Sequence, residues 1–316
     1  MKIDKSLLIK VGLSIVLISW SGYTIYWFFK VIGWITVALT YTLLIDWLLE
    51  SVGTLGLIFR ICASLTAILA VAYYWRGKGL PRVVKLVRLA IVFEAFYFLA
   101  FIPSVIFGFL AGFGFSGGHT LPSGEEGGLW FIFETLVPTL VLVIIMPISL
   151  LKFRSKLTLN PESRKEIFKW GGIVGVSYII VFWLTYFTQW IAAFILPKSL
   201  ASLYPGYGLQ LILNHPINMF TFILTSIGLP LLAVFVWLSF LPAIRDPDKG
   251  LSVRRLGIIL TLLGGYFITV IALFRVFGSV GGDSIWIIFF MYNNADLWCA
   301  TLPALGIPMI LANNYL

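Results

Sequence analysis

Apolar residues along this chain run in long blocks, each bounded by charges or by Gly and Pro, at about 7–29, 52–75, 86–109, 129–151, 167–195, 216–240, 256–277 and 285–311. A helix rises 1.5 Å per residue, so about 20 apolar residues cross ~30 Å of hydrocarbon; every block is long enough, and the longest must tilt or break. The pattern predicts an all-α polytopic membrane protein of about eight transmembrane helices. The N-terminal block exceeds the usual 7–15 apolar residues of a removable signal and no small-residue cleavage site follows, so it reads as a retained span.

One stretch resists this count. Residues 31–45 are uncharged and long enough to suggest a ninth crossing. Loop charge decides against it. With eight spans, the N-terminal tail and three alternate connections, at Arg76–Arg88, Lys152–Lys169 and Arg245–Arg255, share one side and hold 18 of the 22 Lys and Arg residues. The positive-inside rule requires such a bias, and an extra crossing would scatter it. Both termini are therefore expected in the cytoplasm. Residues 31–50 are expected to form an interfacial or re-entrant piece on the outer side, with Trp34, Tyr41 and Trp47 at headgroup level and Asp46 and Glu50 facing water.

Composition agrees and excludes other classes. The chain of 316 residues is 60% apolar, 16% aromatic and 11% charged, against ~45–50% apolar and ~25% charged in soluble domains. The net charge of +9 sits in short connections beside apolar blocks, so it points to anionic lipid head groups and not to nucleic acid. Cys62 and Cys299 lie inside apolar blocks and read as packing residues, without a disulfide or zinc pattern.

The chain also resembles itself. Lys10-Val-Gly matches Lys169-Trp-Gly, ILAV ending at Val71 matches LLAV ending at Val234, VRLAIVF from Val87 matches RRLGIIL from Arg254, and LWFIF from Leu129 matches IWIIF from Ile285, at offsets near 160. Four matches in one order, with matching loop charge, predict two parallel four-helix repeats, 1–155 and 156–316, since an even number of spans per half preserves orientation. The halves differ outside the membrane. The first has a long outer loop at 113–128, whose His119, Glu125 and Glu126 are candidate partner contacts, while its counterpart at 278–284 is short and a separate outer segment occupies 196–214. The Gly, Ser and Pro content of the long loop fits a flexible tip or one ordered by a partner.

Ionisable groups at membrane depth are costly and therefore informative. Arg60, Glu134 and Arg275 are expected within two or three turns of the outer interface, where Glu134 would pair with Arg60 or Arg275. Glu94, about two turns past Arg88, is expected nearer the basic side and bridged to a cation there. The densest polar group is Asn293, Asn294 and Asp296 in the last span. Asn293 and Asp296 share a helix face, suited to lining a cavity or binding a cation, proton or polar head group; hydrogen bonding between helices is the plainer reading. Pro138 and Pro147 answer Pro303 and Pro308 in the other half, and paired breaks mark either a site between repeats or ordinary kinks.

Missing motifs narrow the function further. Two histidines, His119 and His215, cannot supply the four axial ligands of a membrane dihaem core. No metalloprotease, phosphate-loop or nucleophile-elbow pattern occurs, and Ser116, His119 and Glu125 sit in a Gly-rich loop with nothing to fix them as a triad. The expectation is a non-catalytic membrane anchor or scaffold subunit, without haem, in contact with lipid and with other protein subunits. A respiratory or electron-transfer assembly with cofactors on partner chains is one such setting, by analogy with haem-free quinone-interacting anchors built from two four-helix bundles, though none of their motifs is present. Lipid or quinone stays open as a bound small molecule. The alternative is a small-solute or ion transporter using Asn293, Asn294, Asp296 and Glu134; an intramembrane lipid enzyme lacks a paired acid and nucleophile.

Overall fold

The computed structural model describes residues 28–29, 31–33, 44–77, 79–100, 102–103, 137–195, 223–252, 255 and 258. These residues are all-helical, with no strand among them. Five long helices carry the architecture: α1 (Leu44–Trp75), α2 (Leu80–Leu99), α3 (Val137–Lys156), α4 (Arg164–Ile195) and α5 (Leu229–Arg245). A π-helical segment, Leu224–Gly228, leads into α5, and short 3-10 turns at Pro161–Ser163 and Pro247–Lys249 flank α4 and α5.

The α1–α2 connection is tight because Gly77 takes a left-handed φ of +64°, which costs glycine nothing, and Pro81 then opens α2 in its first turn. The helices return antiparallel. Phe59 stacks on Phe96 at 5.4 Å, and a Cβ added to Gly56 would lie 2.9 Å from Ala100 Cβ, so the backbones are close there. The α3–α4 pair folds back similarly, with Gly171 against the Phe153 ring and Ser149 Oγ 3.4 Å from Ser177 Oγ. On the next side of α4, Gly172 sits under Phe240 of α5. Gly250, with φ +59°, closes the turn after α5.

Three contacts place the loops at one end. Arg88 Nε donates to the Arg154 carbonyl at 3.4 Å, Lys156 meets Glu166 at 3.9 Å, and Arg164 meets Asp248 at 3.6 Å. The α1–α2 turn, the α3–α4 turn and the end of α5 thus gather the cations of three connections at one pole of the bundle.

Two stretches, Thr54–Trp75 and Ser226–Arg245, are long and apolar enough to cross a membrane. Their faces are sorted in an unusual way. In α1 the buried positions include Thr54, Arg60, Ala63, Ser64, Thr66, Ala67 and Ala70, whereas Leu55, Ile58, Leu65 and Leu69 are exposed. In α5 the buried Ala233, Val236, Ser239, Phe240 and Ala243 oppose exposed Leu231, Val234 and Leu238. A water-soluble helix turns bulky aliphatics inward and hydroxyls outward; small and polar residues inside with aliphatics outside suit a lipid surround. Four buried hydroxyls are satisfied within their own helices: Ser64, Thr66, Ser149 and Ser239 each donate to the carbonyl four residues back, at 2.6–3.0 Å. Such back-bonding lets a hydroxyl lie in an apolar medium without an orphaned donor.

Several boundaries differ from those expected. Residues 44–50, assigned from sequence to a separate outer piece, are the first two turns of α1. At 32 residues this helix is about 48 Å long and overhangs a ~30 Å hydrocarbon slab, so its first turns project beyond the apolar span and need no break. Helix α2 begins six residues before the expected apolar block, because Arg82, Lys85 and Arg88 continue the helix into the basic pole. Expected spans 7–29, 256–277 and 285–311, the outer loop 113–128 and the outer segment 196–214 lie wholly or almost wholly outside the described residues.

Candidate functional site

Between α1, α2 and α4 lies a group of polar side chains. Arg60 of α1 and Glu94 of α2 approach to 3.6 Å from Nη2 to Oε1, with Arg60 2% and Glu94 12% exposed. Tyr178 of α4, fully buried, donates its hydroxyl to the same Glu94 oxygen at 3.1 Å. The Arg60 guanidinium carbon stands 4.2 Å from the centre of the Tyr97 ring, whose π face attracts a cation. Phe98 packs edge-on against Tyr178 at 6.0 Å and closes the group from α2.

Local geometry explains the meeting. Arg60 and Glu94 are each seventeen positions from Gly77, the turn residue, so two antiparallel helices carry both to the same level, about 25 Å of rise from the turn. Tyr178 reaches that level too, fourteen positions beyond the start of α4 at Arg164, as Glu94 is fourteen beyond Leu80.

One sequence expectation is corrected: Glu94 meets Arg60 and not a cation of the basic pole, while the expected pairing of Glu134 with Arg60 or Arg275 falls outside the described residues. The expected depths were counted from separate interfaces, whereas pairing in a hairpin follows distance from the shared turn. Tyr97 and Tyr178 were not singled out; their positions relative to Gly77 and Arg164 are the signal that finds them. Glu134 and Arg275, the other expected partners, lie outside the described residues. So do Asn293, Asn294 and Asp296, and the loop residues His119, Glu125 and Glu126.

The group is suited to holding helices together. In low dielectric a lone guanidinium or carboxylate is severely penalised, and each neutralises the other. The carboxylate binds α2 to α1 through Arg60 and to α4 through Tyr178, so one side chain ties three helices. Among the described residues no three His, Cys, Asp or Glu side chains gather as a metal site.

A second feature lies higher on α4. Trp183 Nε1 donates at 3.1 Å to the Ser226 carbonyl, within the π-helical turn Leu224–Gly228. Ser226 Oγ is buried without a hydrogen-bond partner. Single π turns recur at functional positions.

No protein-family model, curated protein or solved structure matches this chain.

Proposed function

We propose that the chain is a multi-pass integral protein of the cell membrane, its basic pole cytoplasmic, whose helical body serves as a non-catalytic anchor or scaffold for other subunits of a membrane complex. The observation that carries this reading is the Arg60–Glu94–Tyr178 group, which joins three helices. A solute path needs polar side chains with spare hydrogen-bonding capacity facing a cavity, while here the charges answer one another and join helices. The aliphatic outer faces of α1 and α5 support the membrane setting. Partner chains would carry any cofactors, as in respiratory or electron-transfer assemblies. Purification from native membranes in mild detergent tests the proposal: other chains are expected in fixed stoichiometry. A solitary monodisperse chain that moves a solute after reconstitution would contradict it.

A transporter is the second reading, favoured by the π turn with its orphaned Ser226 hydroxyl. It joins naturally to the repeat and to the Asn293, Asn294 and Asp296 cluster expected from sequence. On that reading Ser226→Ala and Asp296→Asn each lower solute flux while leaving complex formation unchanged; on the anchor reading no flux exists to lose.

A further inference from the structure

The helix that runs from Ile223 through α5 to Arg245 is continuous, yet it carries Pro230 in its interior. A proline there has no N–H for the carbonyl four residues back, which is that of Ser226, and its ring crowds the same carbonyl. Helical backbone angles persist up to the proline, with φ −62° and ψ −47° at Ile223 and φ −68° and ψ −46° at Leu229, so the chain does not break. It widens instead: the π turn Leu224–Gly228 contains Ser226 and ends two residues before Pro230. Pro147 of α3 and Pro242 of α5 also lie inside helices, with ordinary α turns before them, so an interior proline does not by itself call for a π turn.

What distinguishes Pro230 is a donor from the neighbouring helix. The Trp183 indole N–H of α4 reaches the Ser226 carbonyl at 3.1 Å, in place of the N–H that Pro230 lacks, and the Trp183 ring stacks on Phe187 at 5.0 Å. The two sides of the proline are held unequally. Beyond it, Ala233, Val236, Phe240 and Ala243 are buried, with Phe240 close over Gly172 of α4. Before it, Ile223 and Ile227 are exposed and Ser226 and Gly228 are only half-buried. The Ser226 hydroxyl oxygen, moreover, is buried without a hydrogen-bond partner. A stranded hydroxyl costs about as much as a hydrogen bond contributes, so the arrangement that makes the indole bond stands close in free energy to one that gives up the bond and frees the hydroxyl.

We propose that Leu224–Pro230 is a hinge in this helix and that Trp183 is its clasp. With the indole on the Ser226 carbonyl, the segment before Pro230 is held to α4; with that bond broken, the segment swings from α4 while the helix beyond Pro230 stays packed. The device goes beyond the scaffold role and requires neither a partner nor a solute.

The test uses the full chain in lipid nanodiscs, with Cys62 and Cys299 replaced by Ala and spin labels on cysteines at the exposed positions Ile223 and Ile144; a second pair, at Leu238 and Ile144, reports the part of α5 beyond the hinge. Distances are read by pulsed electron paramagnetic resonance. The first pair should show one dominant distance and a minor second one. Trp183→Phe keeps a ring beside Phe187 but removes the donor, and should raise the ratio of the minor to the dominant population about fivefold, as for one lost hydrogen bond. Ser226→Ala, which removes the stranded hydroxyl, should lower that ratio. Pro230→Ala restores an N–H to the helix and should make Trp183→Phe silent when the two are combined. The second pair should not respond to any of these changes. An unchanged first pair in Trp183→Phe would overturn the clasp, and equal broadening of both pairs would mean general loosening of α5 and overturn the hinge. An undiminished Trp183→Phe effect in the Pro230→Ala background would show that the indole does not stand in for the missing donor, and would also overturn the proposal.

Discussion

Helix α4 is held on its two sides by different physics. Towards α1 and α2 it meets a buried ion pair through the Tyr178 hydroxyl; towards α5 it offers Gly172 to the Phe240 ring, where a Cβ would lie 3.1 Å from Phe240 Cγ. The first contact is directional and depends on every member being present. The second is close packing without polar atoms, and it can give by a few tenths of an ångström. Within lipid there is little hydrophobic drive between helices, so both devices are needed: small residues for close approach and polar groups for specificity. The contrast predicts that damage on the α2 side is steep and strongly non-additive, while damage on the α5 side is shallow.

The largest effect is expected from Glu94→Leu, which removes the carboxylate that faces the buried Arg60 guanidinium. Breaking a buried pair by removing one partner costs about 3–5 kcal/mol, and the loss should appear as a lowered Tm in detergent. Adding Arg60→Leu should restore much of that Tm, because both charges are then gone; a double variant as unstable as the sum of the single ones would show that the pair is not coupled. Next comes Tyr178→Phe, which removes one hydrogen bond to a charged acceptor, about 1.5–3 kcal/mol, and should lose most of its effect in the Glu94→Leu background.

Glycine replacements come third. Ala gains about 1 kcal/mol of helix propensity over Gly, against about 1–3 kcal/mol for overpacking. At Gly56 the added Cβ meets Ala100 Cβ at 2.9 Å, and neither atom can swing aside, so Gly56→Ala should be net destabilising. At Gly172 the neighbour is a ring, so Gly172→Ala should be close to neutral. Equal Tm losses at the two positions would erase the distinction drawn here.

The smallest effect belongs to the exposed turn after α5, where Lys249 Nζ and Asp246 Oδ2 are 2.8 Å apart. The hydrogen bond from Lys249 holds the Asp246 carboxyl below its usual range, and the same bond raises Lys249. Asp246 therefore adds stability above the pKa it has in the unfolded chain, and that contribution disappears as pH falls through its lower folded value. Lys249 contributes fully below its unfolded pKa, and its contribution disappears as pH rises through its higher folded value. Asp246→Asn should flatten the acid side of the Tm–pH curve slightly and leave the neutral value almost unchanged, since exposed pairs add little.

How much was legible beforehand follows from what each signal measures. Block length and apolarity locate α3, α4 and α5 to within five residues at the ends the structure describes, because crossing hydrocarbon constrains length directly. The extents of α1 and α2 were less legible: charged residues do not stop a helix, so α2 runs back through Lys85 to Leu80 and α1 forward from Leu44. Arg60 and Glu94 stood out because charge in an apolar block is rare. Their pairing did not, because it depends on helix direction and turn position, and neither is encoded at the charged residues themselves. Tyr178 was hidden among other aromatics of α4; only its height beside Glu94 sets it apart.

Sidedness is tested most directly by single cysteines at Arg82, Lys165 and Lys249, in a chain whose Cys62 and Cys299 are replaced by Ala. An impermeant maleimide is applied to sealed right-side-out and inside-out vesicles. All three positions should react only from the cytoplasmic face, as one basic pole requires. Reaction of any one of them from the opposite face would contradict the membrane arrangement on which the scaffold role depends.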